Sequence, residues 1–212
     1  MHFLDQTDIP VLSEEGKEMS YEERSGWNAF WLVDPLDGTK EFIKKNGEFT
    51  VNIALIENGL PSYGIIYAPV LKKLFVGNVG TEAWVCEDVE PSTSIEDILA
   101  RKTSIPVSKA DSPYIVVASR SHFSPETQEF VDGLKAEKGE VDFASMGSSL
   151  KICLVAEGKA DIYPRFGPTM EWDTGAGHAI AKAAGKMVTD HVTGEEMRYN
   201  KENLLNNWFI VE

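Results

Sequence analysis

Asp34 and Asp37 stand three residues apart in the stretch WLVDPLDGTKEF, directly after the apolar run Trp31-Leu32-Val33. The run reads as a buried strand that ends at a carboxylate. Pro35 biases Asp34 toward an extended backbone. Gly38 permits a tight turn or the close approach of a ligand, and Thr39 adds a hydroxyl just beyond it. Two carboxylates at a strand exit make an oxygen-rich site. That chemistry suits a hard cation such as Mg²⁺, which takes one or two carboxylates together with phosphate oxygens. An Asx-type turn that happens to hold two aspartates is the competing reading, and the turn alone does not separate the two.

Other residues could bring partners to this turn. Asp173 lies in Glu171-Trp172-Asp173, at the start of a predicted helix. The helix dipole stabilises an acid there even without a function, and Trp172 reads as a packing residue. Glu14 and Glu15 end a short β-type run over 9–12; as an isolated pair they read as a solvated turn. Gly147-Ser148-Ser149 opens another helix, with Ser as a good N-cap and free backbone N–H groups that would receive an anion. Lys151 lies in the first turn of that helix. Arg165 follows a predicted strand in YPRFGP, and Arg120 follows another in SRSH, beside His122. Cations so placed suit phosphate groups, although each alone reads as an ordinary surface charge. Cys153 reads as core.

The elements that must position these residues fall into two halves. Runs over 49–56 and 62–67 read as a hairpin across a turn-rich connection, and 73–76 and 83–86 continue an antiparallel meander. The polar stretch 87–110 reads as a connector with a short helix over 94–100. After it, strands over 114–118, 141–145 and 161–164 alternate with helices over 125–138, 150–157 and 171–184, the last ended by Gly185. Strands over 186–189 and 209–211 are expected to close the sheet. The second half is therefore α/β. The division expected is 1–105, a metal-binding part with an antiparallel sheet, and 106–212, an α/β part that completes the substrate site.

Composition narrows the function. The 212 residues are 42% hydrophobic, with a net charge of −14 from 34 acidic and 20 basic residues. This acidity argues against nucleic-acid polymers and anionic membranes as partners. It leaves room for a small anionic substrate if bound cations reverse the local sign. Two cysteines without metal-ligand or redox spacing fit a reduced, cytoplasmic protein, with association at the inner face of the membrane left open. The four histidines form no zinc pattern.

Taken together, DPLDGT, the upstream Glu14-Glu15 pair and WDTGAG resemble the lithium-sensitive, magnesium-dependent phosphatases of the inositol monophosphatase superfamily. The wider wording, with SRSH, GSSLKICLVAEGKADIYPRFGPT and WDTGAGHAI, looks like its bacterial 3′(2′),5′-bisphosphate nucleotidase branch. The D-x-D-G-T signature of phospho-aspartate enzymes differs, since its aspartates are two apart.

The resemblance implies a layered α-β-α-β-α sandwich with two or three Mg²⁺ ions. It implies Glu14, Asp34, Asp37 and Asp173 as metal carboxylates and the Leu36 carbonyl as a further ligand. Gly38 and Thr39 would hold the scissile phosphate, Thr39 also orienting water. Ser148, Ser149, Lys151 and Arg165, with Arg120 and His122, would form the nucleotide side. The implied reaction is removal of the 3′-phosphate of 3′-phosphoadenosine 5′-phosphate, in sulfur assimilation. An inositol or sugar phosphate monoesterase, or a binding form without turnover, is the alternative. Family members begin earlier, with two long helices and an acidic partner for the threonine. The expectation is a truncated first helical layer and self-association.

Overall fold

The strand expected over 49–56 is β3 (Thr50–Glu57), and its alternation defines the two faces of the sheet around it. Thr50, Asn52, Ala54 and Ile56 are buried on one face, while Val51, Ile53 and Leu55 are half-buried on the other. That is the period-two pattern of a strand. The structure is a computed structural model that describes residues 4–107, 113–118 and 124–212.

The first sheet has seven strands in chain order: β1 (Val11–Ser13), β2 (Ala29–Asp37), β3, β4 (Leu60–Ala68), β5 (Lys73–Asn78), β6 (Glu82–Cys86) and β7 (Thr103–Ser104). From β2 onward it is the expected antiparallel meander. β1 departs from that expectation, because it pairs parallel with β2, with Ser13 opposite Val33. Between them, Ser20 caps the short α1 (Tyr21–Arg24) in a capping box with Glu23. After β2 comes α2 (Thr39–Lys44). The connector carries α3 (Ile95–Arg101), capped by Ser94. Ile98 of α3 packs with Val76, Trp84 and Cys86 against one face of the sheet.

In the second half, β8 (Tyr114–Val117) and β9 (Val141–Ala144) pair parallel across α4 (Pro125–Lys138), so the expected strand–helix alternation forms a βαβ unit here. α5 (Leu150–Ala156), β10 (Tyr163–Arg165), α6 (Glu171–Ala183), β11 (Val188–Asp190) and β12 (Phe209–Val211) follow. The last two strands do not close the parallel pair as expected. They join β10 in an antiparallel sheet of order β10-β12-β11, linked to β8 by a bridge between Val116 and Ile162. The strand expected over 161–164 is also displaced: the Asp161 carboxylate accepts the Ile115 N–H at 2.7 Å, and pairing with β12 begins at Tyr163. Arg165 is thus the last residue of a strand.

α6 lies against β2 to β6 on one side and touches α5 and β11 on the other. α5 meets β8 and β10, and α4 meets β9 and β10. The order of layers is α3, first sheet, α5 with α6, second-half strands, α4. This is the α+β sandwich expected; the main core, from Leu12 to Val211, fills its middle, and smaller clusters pack α3 and α4 onto the outside. The small residues of α6 let it sit unusually close to the sheet. A methyl group at Gly64 of β4 would lie 2.4 Å from the Ala176 carbonyl oxygen. Glycine is therefore required there by contact alone. Among the described residues no helix is long and apolar enough to cross a membrane.

Candidate metal centre

Two aspartates three residues apart would point to opposite faces of a regular strand. β2 avoids this with an irregularity between Asp34 and Asp37. Asp34 pairs with Asn52 and Asp37 with Thr50, so three residues of β2 span two of β3. Thr50 and Asn52 share a face, and the bulge brings both aspartates to that face. Pro35 falls inside the bulge, where the missing N–H breaks no ladder bond. The Asx-type reading is realised at the same time: the Leu36 N–H donates to Asp34 Oδ1 at 2.9 Å. Turn and acidic pair are one structure.

α6 supplies the third carboxylate. Asp34, Asp37 and Asp173 each present an oxygen, and the three lie within 4.8 Å of one another. The second oxygen of Asp34, Oδ2, is buried without a hydrogen-bond partner. Burial, then the Asp37 charge, pushes the Asp34 carboxyl up to about 8. Burial and Asp37 push Asp173 up to about 7. Asp37 is raised by burial, against the pull of Lys151 and its hydrogen bonds from Ser149 and Asn52. Three crowded carboxylates removed from water resist ionisation, and the nearby Lys151 and Arg165 only partly offset this. A cation fits this donor set: it would take up the orphaned oxygen and reverse the repulsion.

Glu14 follows β1, its N–H bonded to the Val33 carbonyl at 3.2 Å. That brings it beside Asp34, and its charge acts on both Asp34 and Asp173. It lines a cleft of about 410 Å³ together with Ser13, Met170 and Trp172, large enough for a small ligand. Glu14 is exposed and stands outside the tight triad.

On the far side of Asp37 the wall is basic. Lys151 and Arg165 line a small pocket with Asp37, Asp173, Ser148 and Ser149. Burial lowers Lys151 to about 8, opposed by the Asp37 charge. Arg165 donates to the Pro168 carbonyl at 3.0 Å, and its buried Nε has no partner.

Ser149 stands at the N-cap position of α5 as expected, but its backbone is already helical and its side chain makes no capping hydrogen bond. Its hydroxyl instead meets Thr50 Oγ1 at 2.8 Å and Asn52 Oδ1 at 3.0 Å. The backbone N–H foreseen for an outside anion donates to Asp37 Oδ2 at 2.6 Å. Ser148 adopts the left-handed region at φ 48° and donates to the Asp37 and Glu48 carbonyls. The Gly-Ser-Ser turn therefore holds Asp37 in place. Gly38 sits against it at φ 92°, and a methyl group there would lie 2.6 Å from Ser148 Oγ. Thr39 is exposed at the first turn of α2. Arg120 and His122 lie outside the described residues.

Sequence reasoning missed Thr50 and Asn52, which contact Asp37 and Ser149. Their signal was present: in TVNIALI they are the polar members of the face that otherwise carries Ala54 and Ile56. Asn206, bonded across the start of α6, left no such trace.

The geometry agrees with what this chain is similar to. A CysQ 3′(2′),5′-bisphosphate nucleotidase of Salmonella typhimurium is 52% identical over 205 residues, covering 96% of this chain and 76% of that protein. The protein of the same description from Escherichia coli (strain K12) is 50% identical over the same shares of the two chains. The crystal structure of CysQ from Bacteroides thetaiotaomicron, a bacterial member of the inositol monophosphatase family, matches with a TM-score of 0.93 at 54% identity, covering 100% of this chain and 79% of that one. The model of the inositol monophosphatase family itself matches residues 5–208. With the acidic triad in place between β2 and α6, the chain belongs to the inositol monophosphatase family.

Proposed function

We propose that the chain is a Mg²⁺-dependent phosphatase that hydrolyses the 3′-phosphate of 3′-phosphoadenosine 5′-phosphate, giving AMP and phosphate for sulfur assimilation. One observation carries the reading: Asp37 and Asp173 of the acidic triad line a single small pocket with a basic wall, Lys151 and Arg165. A monophosphate needs only the acidic side with its cations. A second phosphate on the substrate gives Lys151 and Arg165 a partner. The nucleotidases half-identical to this chain agree with that choice.

In this reading Glu14, Asp34, Asp37 and Asp173, with the Leu36 carbonyl, hold two or three ions. Mg²⁺ held by these residues would supply positive charge to offset that of the phosphoryl oxygens and would make water at the site more acidic. Residues 1–105 furnish most of the ligands, and 106–212 add Asp173 and the substrate wall. Gly38 leaves the backbone open to the scissile phosphate, and Thr39 orients the attacking water. Lys151, poised near neutrality by burial, is held protonated by an arriving phosphate. Arg165 offers the rigid fork that suits a phosphate bidentately. Ser148 and Ser149 serve this site chiefly by fixing Asp37.

Phosphate release from adenosine 3′,5′-bisphosphate, an inositol monophosphate and fructose bisphosphate, with and without Mg²⁺, tests the reading. The expected result is Mg²⁺-dependent release, fastest with the adenosine compound. Arg165→Ala should weaken use of that compound far more than use of a simple monophosphate. Equal losses on both place Arg165 outside the specificity pocket and favour an inositol or sugar phosphate as substrate.

A further inference from the structure

The first turn of α6 carries Asp173, yet the residue before it, Met170, has no side chain able to cap a helix. The Met170 N–H is taken by Asp173 Oδ2 itself, at 2.8 Å. The same carboxylate that joins the triad therefore also closes the helix. Left to that one bond, its position would follow any fraying of the turn.

The segment 200–206 prevents this. The Leu204 carbonyl accepts the Glu171 N–H at 2.9 Å, and Met170 bridges to Leu205. Asn206 then ties both sides of Asp173 together. Its backbone N–H donates to the Thr169 carbonyl at 2.8 Å. Its side-chain amide reaches the Met170 carbonyl at 2.8 Å, Thr174 Oγ1 at 3.1 Å and Thr169 Oγ1 at 3.2 Å. Its Oδ1 accepts from Lys201 Nζ at 3.2 Å. Lys201 in turn pairs with the fully buried Glu171 at 2.6 Å, whose other oxygen accepts the Asn200 N–H at 2.7 Å. Asn206 is 5% exposed. It spans Thr169 and Met170, ahead of the first turn of α6, and Thr174, directly after Asp173, with no hydrogen bond to Asp173 itself.

We propose that Asn206 is a positioning residue that holds Asp173 in register with Asp34 and Asp37, and so sets the affinity of the acidic triad for its cation. The proposal rests on the metal reading given above. Groups that orient metal ligands typically change metal affinity by about 10–100-fold when removed. A residue that merely supports the fold would lower stability and leave that affinity alone.

The experiment is a Mg²⁺ titration followed by thermal unfolding and by calorimetry, on the full chain and on Asn206→Ala. The expected result is a folded variant whose Mg²⁺ midpoint rises by about 10-fold or more. Thr174→Val keeps the shape of its side chain and removes one acceptor of the Asn206 amide. It should raise the midpoint in the same direction by a smaller factor, and it decides the question if Asn206→Ala does not fold. A wild-type response with an unchanged midpoint in the folded variants overturns this inference alone. No Mg²⁺ response in the wild type overturns the metal reading and this inference with it.

Discussion

Gly64→Ala should disable the metal centre from a position outside it. The new methyl would lie 2.4 Å from the Ala176 carbonyl oxygen and 2.7 Å from the Ala179 Cβ, where ordinary contact begins at 3.4 Å. The first of these is backbone, so no side chain can rotate away. α6 must recede from β4 by about 1 Å, and such overpacking costs about 1–3 kcal/mol. For a chain of this length that is a fall in Tm of roughly 2–12 °C. The recession also moves Asp173, carried on α6, away from Asp34 and Asp37, carried on β2. A misplacement of about 1 Å in a catalytic constellation costs roughly 10²-fold in rate.

The control is the same substitution at Gly133, in the exposed middle of α4, where a methyl group meets nothing within 4 Å. There alanine should stabilise by about 0.5–1 kcal/mol through helix propensity. Thermal melts and Mg²⁺ titrations of both variants are the assay. A Gly64→Ala protein with wild-type Tm and wild-type Mg²⁺ midpoint would refute the claim that this glycine sets the seat of α6.

Two further outcomes follow from the acidic triad. Asp34 and Asp173 are pushed up to about 8 and about 7 from an ordinary value of 3.8. Their ionisation costs the metal-free fold nothing below about pH 4 and progressively more as pH rises toward about 8. Urea unfolding in chelator should show stability falling across that window, and saturating Mg²⁺ should flatten the slope; a slope equal with and without Mg²⁺ contradicts the account. Asp37→Asn should remove most of the Mg²⁺-dependent rise in Tm, because the stabilisation follows affinity for the native state alone, and a retained rise would move the cation elsewhere.

The parts of the fold that follow local pattern were legible. The hairpin of β3 and β4, the helix α4 and the strand–helix alternation around it follow from period and turn residues. What was not legible depends on partners distant in sequence. β1 is too short for its alternation to declare a direction, and parallel pairing with β2 is decided by the connection through α1. The break between β8 and the β10-β12-β11 sheet is set by Asp161, which takes the Ile115 N–H. At the site, Asp34 and Asp37 were visible as a pair, but the bulge that brings them to one face is recorded only in the register with Asn52 and Thr50. Ser149 stands at a helix N-cap, yet Thr50 and Asn52, about a hundred residues away, take its hydroxyl, and Asp37 takes the N–H expected for an anion.

The same long-range bonds explain why the site tolerates its own repulsion. Asp37 accepts from Ser149, Asn52 and Thr50, Asp34 accepts from Leu36, and Asp173 accepts from Met170. Each carboxylate is thus hydrogen-bonded on at least one oxygen by a group the fold holds still. Hydrogen bonds to the charged form favour it, but here they do not outweigh burial and mutual repulsion, since the pKa values of all three remain raised. The arrangement is therefore aligned before a cation arrives while its charge is only partly developed. A cation bound there would complete the ionisation, release protons and gain the full attraction of a fixed donor set. A site built from the same three aspartates on mobile loops would lose that gain to the cost of ordering them.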